Sequence, residues 1–287
     1  MSGMAASADW KGLHLHLDMP SGIAGDMMLG ALFDLGVPEE VVRSALERLP
    51  VAGYELRVAK AQRKGIVGTD VKVVVGAPGR EHTHGHDHRH YSDIKAMLAA
   101  ARVDDRVRTL AMRIFDHMAR AESKLHGTRI EDVAFHEVGA IDSIVDVVGC
   151  AAALAWLAPA SVSAESVPLG SGQVHAAHGL LPVPAPATLE ILRAAEVPTR
   201  HGGVAAELCT PTGAALVAAV VTTFSPMPAL TIIAVGYGAG DQELTDRPNL
   251  VRVVLGRPPV GPEARASLVV LESTLDDMNP ELCEYVS

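Results

Sequence analysis

Aromatic residues are scarce here: Phe, Trp and Tyr make up 3% of the 287 residues. Hydrophobic residues nevertheless reach 48%, so the core must be aliphatic, in a chain of one to two domains. Positive charge is also short. Twenty-four Lys and Arg face 34 Asp and Glu, a formal net charge of −10. That balance argues against gripping a nucleic-acid backbone, yet it allows a local basic site for one small anion. Cysteine is limited to Cys150, Cys209 and Cys283, which are far apart and form no CxxC pair. Such usage excludes a disulfide scaffold and a thiolate zinc site, and it fits a reducing cytoplasm. No basic region followed by an apolar stretch opens the chain, so no signal peptide is expected. The longest apolar run, VDVVGCAAALAWLA (145–158), is too short to span a bilayer and carries Asp146. It reads as a buried helix, and no membrane partner is expected.

Periodicity supplies the elements. LHLHL (13–17) alternates and predicts a strand ending in a Gly-rich turn. Helical spacing follows over 26–36, with a short second helix over 39–48. Residues 54–62 and 69–76 are strand-like. Ser92 is a candidate N-cap for a helix to about Ala101. A long amphipathic helix over 104–126 places Val107, Leu110, Ile114, Met118, Ala121 and Leu125 on one stripe. The buried helix is expected at 141–157, then a strand and loop over 161–172. A Pro-rich connection (180–187) leads to a helix ending near Ala195, and an Ala/Val helix spans 210–221. Segments 230–241, 250–256 and 267–272 read as strands, the first of them buried. The fold class predicted is mixed α/β (α+β), a mixed sheet packed with Ala/Val-rich helices. The expected layout is a flexible leader (1–12), an α/β core (13–257), then a linker and the start of a truncated C-terminal domain (258–287).

Five stretches carry chemistry. In DMPSGIAGD (18–26), Gly22 and Gly25 would let backbone amides approach an anion, with Ser21 as a donor. Asp18 and Asp26 would repel phosphate unless a divalent cation or a cationic ring lay between. A phosphate, a metal, both, or simply a tight turn all satisfy the pattern. In FHEVGAIDSIVD (135–146), His136 and Glu137 precede the buried helix, and Asp142 and Asp146 share one face of it. Asp142 suits a first helical turn. Asp146 lies among apolar residues and needs a cation, a metal or a strong hydrogen-bond partner. His175 and His178 stand three apart in a Gly-rich loop, as ligands, an acid–base pair or plain surface histidines. Thr210 and Thr212 open a helix as caps or anion donors, GYGAG (236–240) resembles half a dinucleotide fingerprint, and Arg247 and Asn249 suit an anion or a surface turn. In STLDDMNPE (273–281), Asp276, Asp277, Asn279 and Glu281 offer hard oxygen ligands for Mg²⁺ or Mn²⁺.

A sixth stretch is unusual in composition. REHTHGHDHRHY (80–91) packs His82, His84, His86, His88 and His90 into nine positions with no apolar residue able to bury surface. The region 77–91 is expected to be a disordered internal loop. Imidazole suits nickel, zinc and copper, so the loop reads either as a loose metal catcher or as a solvated polar segment.

Several of these blocks, in this order, resemble the LarC family of nickel insertion proteins. The resemblance rests on LDMPSGIAGDMMLGALFDLGV, the His-rich loop, FHEVGAIDSIVDVVG, HGLLPVPAPATLEIL, ELCTPTGAAL, VGYGAG, RPN and LDDMNPE, and it covers the chain from about residue 13 onward. It implies insertion of Ni²⁺ into pyridinium-3,5-bisthiocarboxylic acid mononucleotide, giving the nickel-pincer nucleotide of lactate racemase. CTP with Mg²⁺ or Mn²⁺ would activate the organic ligand by transient cytidylylation, releasing pyrophosphate and CMP. The enzyme class implied is a metal-inserting lyase. Partners implied are the C-terminal half of the family protein, supplied in the same or a second polypeptide, further copies in a homo-oligomer, and lactate racemase apoprotein downstream. Met19 stands where the family pattern has Cys. Two alternatives remain from the residues themselves: a nickel-binding metallochaperone without catalysis, and a metal-dependent nucleotide phosphohydrolase or nucleotidyltransferase.

Overall fold

The structure is a computed structural model that describes residues 10–76, 89–135, 141–176 and 178–259. The alternating LHLHL segment forms β1 (His14–Asp18), followed by α1 (Gly25–Leu35) and α2 (Glu39–Leu46). Next come the long antiparallel pair β2 (Tyr54–Arg63) and β3 (Ile66–Val75). After β4 (Arg89–His90) stand α3 (Tyr91–Ala100) and α4 (Asp105–His126), then β5 (Ala134–Phe135) and α5 (Ile141–Leu157). The last part runs β6 (Ser161–Ala164), β7 (Val167–Pro168), β8 (Gln173–Ala176), β9 (Gly179–Pro182), α6 (Pro186–Ala194) and β10 (Thr199–Arg200). It closes with α7 (Pro211–Val220), β11 (Thr223–Phe224), β12 (Thr231–Ala239) and β13 (Leu250–Arg257).

Seven strands form one mixed sheet in the order β11-β6-β1-β13-β12-β3-β2. β1 pairs parallel with β6 and antiparallel with β13, so both its edges are closed. β12 meets β3 parallel at Gly238↔Thr69 and β13 antiparallel along its length. Leu15 and Leu17 of β1 join the aliphatic core with Val162, Ala164, Val251, Val253 and Leu255. This is the mixed α/β class expected from the sequence.

Helix α1 is the element that fixes the site. Its Met27, Met28, Leu29, Leu32 and Leu35 are buried, each worth about 1.5–3 kcal/mol relative to exposure. It sits almost in van der Waals contact with the β12 backbone. A Cβ on Gly238 would fall 1.7 Å from the Met27 carbonyl oxygen, and one on Gly236 would fall 2.1 Å from that of Ala31. The GYGAG run therefore serves helix-on-strand packing. On the other side, a Cβ on Gly149 of α5 would come within 2.9 Å of Leu29.

Several local expectations change. α3 begins at Tyr91, one residue before Ser92, and His90 is its N-cap, with the His90 N–H donating to Asp93 Oδ2 at 3.0 Å. In α4 the stripe is buried at Val107, Ile114, Met118 and Ala121, but Leu125 is 45% exposed because the last turn runs past the core. Only the C-terminal half of β12 is buried; Ile232 and Ile233 are exposed, since α1 covers the strand only around Gly236–Ala239. The loop expected around 170–182 contains the hairpin β8–β9. Among the described residues no helix is long and apolar enough to cross a membrane.

Candidate active site

Three helices begin at one cavity. Gly25 and Asp26 open α1, Asp142 and Ser143 lie in the first turn of α5, and Thr210 to Thr212 open α7. All of them line a space of about 460 Å³, a size typical of small-molecule sites. Helix N-termini carry partial positive charge and free N–H groups. The cavity is completed by Val71–Val73 of β3, His175 and Leu181 of the β8–β9 hairpin, Glu207 and Asp241.

Asp146 lies at the floor. Its Oδ1 is shut off from solvent and has no hydrogen-bond partner among the described residues. Its Oδ2 faces the start of α1, where a Cβ on Gly25 would fall 2.7 Å away. The carboxyl group is held well above the usual carboxylate range, first by burial and then by the charges of Asp26 and Asp142. A hydrogen bond from the Asp26 backbone N–H works against that shift. Asp26 is itself pushed up by burial, although its Oδ1 accepts the Met27 N–H at 2.8 Å. Two facing carboxyls in this setting do not both ionise without a cation. Together they can hold a proton, accept one, or take a cation. Beneath them the Cys150 thiol donates to the Gly25 carbonyl at 3.5 Å and is buried. Burial, then the charges of Asp146 and Asp26, raise the Cys150 pKa strongly, so it is an inert neighbour rather than a nucleophile.

Of the residues singled out from the sequence, the cavity gathers Gly25, Asp26, Asp142, Asp146, His175, Thr210 and Thr212. Thr210 also caps α7, its Oγ1 accepting the Gly213 N–H at 3.1 Å. Others are engaged elsewhere. The Ser21 hydroxyl donates to the Pro248 carbonyl at 2.7 Å. The Gly22 N–H goes to Met19 and the Ile23 N–H to Leu208. A Cβ on Gly22 would fall 1.7 Å from the Leu208 carbonyl oxygen, so this glycine admits a neighbouring chain segment. The group resting against the start of α1 is thus the protein's own Asp146 carboxyl. Asp18, at the far end of β1, accepts from Arg252 Nε at 2.8 Å. Arg247 pairs with Asp246 and donates to the Gly202 carbonyl at 3.0 Å. Asn249 is buried and donates to the Gln242 carbonyl at 2.9 Å. His178 packs its ring on His126 with centroids 4.9 Å apart. Met19 is buried in the core and lines no part of the cavity.

His82, His84, His86, His88, His136, Glu137, Asp276, Asp277, Asn279 and Glu281 lie outside the described residues. Among the described residues, no group of three or more His, Cys, Asp or Glu is placed to hold a metal ion. Lys72, Glu207 and Asp241 also line the cavity, and sequence reasoning passed over them. Lys72 is paired with Asp241 and lies 3.5 Å from Asp70 Oδ1. A lone lysine in TDVKVVVG looks like an ordinary solvent-facing strand position, so only the three-dimensional arrangement marks it.

The comparisons with known proteins bear on this geometry. A protein of Geobacillus kaustophilus, named pyridinium-3,5-bisthiocarboxylic acid mononucleotide nickel insertion protein, is 44% identical over 283 residues. That match takes in 95% of this chain and 68% of the relative. Putative nickel insertion proteins of Geobacter metallireducens and Wolinella succinogenes are each 47% identical, over 95% and 94% of the chain and 68% and 66% of their own lengths. No solved structure matches the chain significantly. The sequence pattern of the family described as nickel insertion protein matches residues 15–287, and this chain therefore belongs to the nickel insertion protein (LarC) family.

Proposed function

We propose that this chain inserts Ni²⁺ into pyridinium-3,5-bisthiocarboxylic acid mononucleotide, with the Asp26–Asp146 cavity as the reaction site. One observation carries the reading: a carboxyl oxygen of Asp146 is buried at the cavity floor without a partner among the described residues. A carboxyl oxygen left open on a cavity can take a cation or a transferred proton. The acidic floor suits both the pyridinium ring, which is cationic, and the incoming metal ion. When a ring carbon bonds nickel, its C–H bond breaks and the electron pair goes to the metal. The proton passes to the Asp26–Asp146 pair, whose raised affinity for protons matches that task. His175 and Asp142, which also line the cavity, would orient the ligand.

The finer elements of the proposal rest on the family resemblance. These are CTP as co-substrate with Mg²⁺ or Mn²⁺, nickel supplied by His82–His90, further metal ligands at Asp276, Asp277 and Glu281, the lyase class, and lactate racemase as recipient. The test is incubation with Ni²⁺, the precursor and CTP, followed by mass spectrometry of the small molecules. Wild type should yield the nickel-bearing nucleotide and Asp146→Asn should yield little; equal yields would remove the cavity from the reaction. Omitting CTP separates the nucleotide requirement from nickel insertion itself.

A further inference from the structure

The charge pattern of the cavity points to how its ligand is oriented. Among the described residues five carboxyl groups line it: Asp26, Asp142, Asp146, Glu207 and Asp241. Against them stands one side chain of fixed positive charge among the described lining residues, Lys72. Its place is distinctive. Asp146 Oδ1 is sealed at the floor, whereas the Lys72 side chain is 39% exposed and its partner Asp241, in the turn after β12, is 62% exposed. The cavity therefore has an acidic, dry floor and a wet rim holding a lysine.

Resting on the reading above, that the ligand is a pyridinium mononucleotide, we propose that Lys72 is the phosphate-recognition residue of this site, exchanging its contact with Asp241 for the ligand's 5′-phosphate. Such a ligand has one cationic end and one anionic end. A cationic ring is favoured against the floor carboxyls. A phosphate monoester carries about −1.5 to −2 charge at neutral pH, is repelled by that floor, and is strongly hydrated, so it belongs at the rim. The resident Lys72–Asp241 pair is exposed and contributes little. A dianion displaces it readily, and the freed Asp241 remains solvated. The second partner, Asp70, keeps the ammonium near the cavity: its Oδ1 lies 3.5 Å away and is buried without a hydrogen bond among the described residues. The exchange also gives the turn ending at Asp241 a role beyond the close packing of Gly236 and Gly238.

The test is direct binding to the full chain without nickel. Nicotinic acid mononucleotide serves as a stable pyridinium carboxylate probe, its phosphate-free riboside as one comparison, and nicotinamide mononucleotide, which lacks the carboxylate, as the other. Lys72→Met should weaken both mononucleotides by about 10- to 100-fold, the range of a lost charge-assisted contact. It should leave the riboside unchanged, and Lys72→Arg should restore most of the loss. Asp241→Asn should tighten mononucleotide binding by up to about 5-fold, because it frees the lysine from an exposed pair. This second variant decides the matter if Lys72→Met unfolds. Unchanged mononucleotide affinity in Lys72→Met, equal weakening of the riboside, or no tightening in Asp241→Asn would each overturn the assignment, as would failure of wild type to bind either mononucleotide. Wild type that inserts nickel while Lys72→Met binds normally sinks only the lysine role. Wild type that binds through Lys72 but never inserts nickel sinks only the function proposed above.

Discussion

Two of the buried polar clusters among the described residues are built on opposite terms. On the face of β1 turned away from Leu15 and Leu17, His14 and His16 are buried and hydrogen-bonded. His14 Nδ1 meets Ser161 Oγ at 2.7 Å, His14 Nε2 meets Ser163 Oγ at 2.7 Å, and His16 Nδ1 meets the same Ser163 Oγ at 2.8 Å. At the cavity floor, Asp146 keeps a buried oxygen with no partner among the described residues and faces a second carboxyl whose pKa is also raised. The first cluster is what a fold does with polar groups it must bury: it pairs them. The second leaves an acceptor open that something outside the chain can complete. Burial of a titratable group therefore says little about function, and the state of its hydrogen bonds says much.

The largest effect expected is on turnover. Asp146→Asn keeps the shape but can neither take a proton nor carry charge, so nickel insertion should fall by at least about 100-fold, the lower range for a lost acid–base group. The same change should leave the protein folded, and more stable than wild type at alkaline pH, because it removes a carboxyl that is expensive to ionise. Ser163→Ala is the mirror image. It strands two imidazole nitrogens in a buried place and should cost about 1–3 kcal/mol of stability, read by urea unfolding, with turnover per folded molecule unchanged. If Ser163→Ala abolished turnover and left stability intact, the two clusters would have to exchange roles.

The next effect is the pH dependence of stability, where the two clusters pull in opposite directions. Burial lowers the pKa of His14 and His16 below 6.5. The unfolded chain then binds more protons than the folded one over that range, so stability is full above pH 6.5 and declines as pH falls through the folded-state values. Asp26 and Asp146 are raised above 3.8. There the folded chain holds more protons, so their contribution is greatest at acid pH and declines as pH rises from 3.8 through the folded-state values. Unfolding free energies measured across pH should therefore show a smaller high-pH decline in Asp146→Asn, where Asp26 remains, and a smaller low-pH decline in His16→Gln, where His14 remains. Identical profiles for both variants would show that neither cluster controls the titration.

Much of this contrast was legible in the sequence, but unevenly. A carboxylate inside VDVVGCAAALAWLA is out of place, which is why Asp146 stood out. The histidines of LHLHL did not stand out, because alternation reads the same whether the second face meets water or serine hydroxyls. The segment order of the fold followed from periodicity and from stops at Gly and Pro. Glycine spacing was the ambiguous signal. In DMPSGIAGD and GYGAG it indicated close backbone approach without saying what approaches. At Gly22 and Gly238 the neighbour is the chain itself, and at Gly25 it is the Asp146 side chain.

Gly25 yields a smaller but sharper prediction. Its position admits no side chain, since a Cβ would lie 2.7 Å from both Cβ and Oδ2 of Asp146. Gly25→Ala must push Asp146 aside or lift the start of α1. The overpacking should destabilise by about 1–3 kcal/mol, and the displaced carboxyl should lower turnover in the same protein. Combined with Asp146→Gly, the clash disappears. The double variant should then recover the lost stability, while turnover stays at the level of Asp146→Gly alone. Additive losses in stability would mean that α1 and α5 do not meet at this pair, and the shared floor of the cavity would go with it.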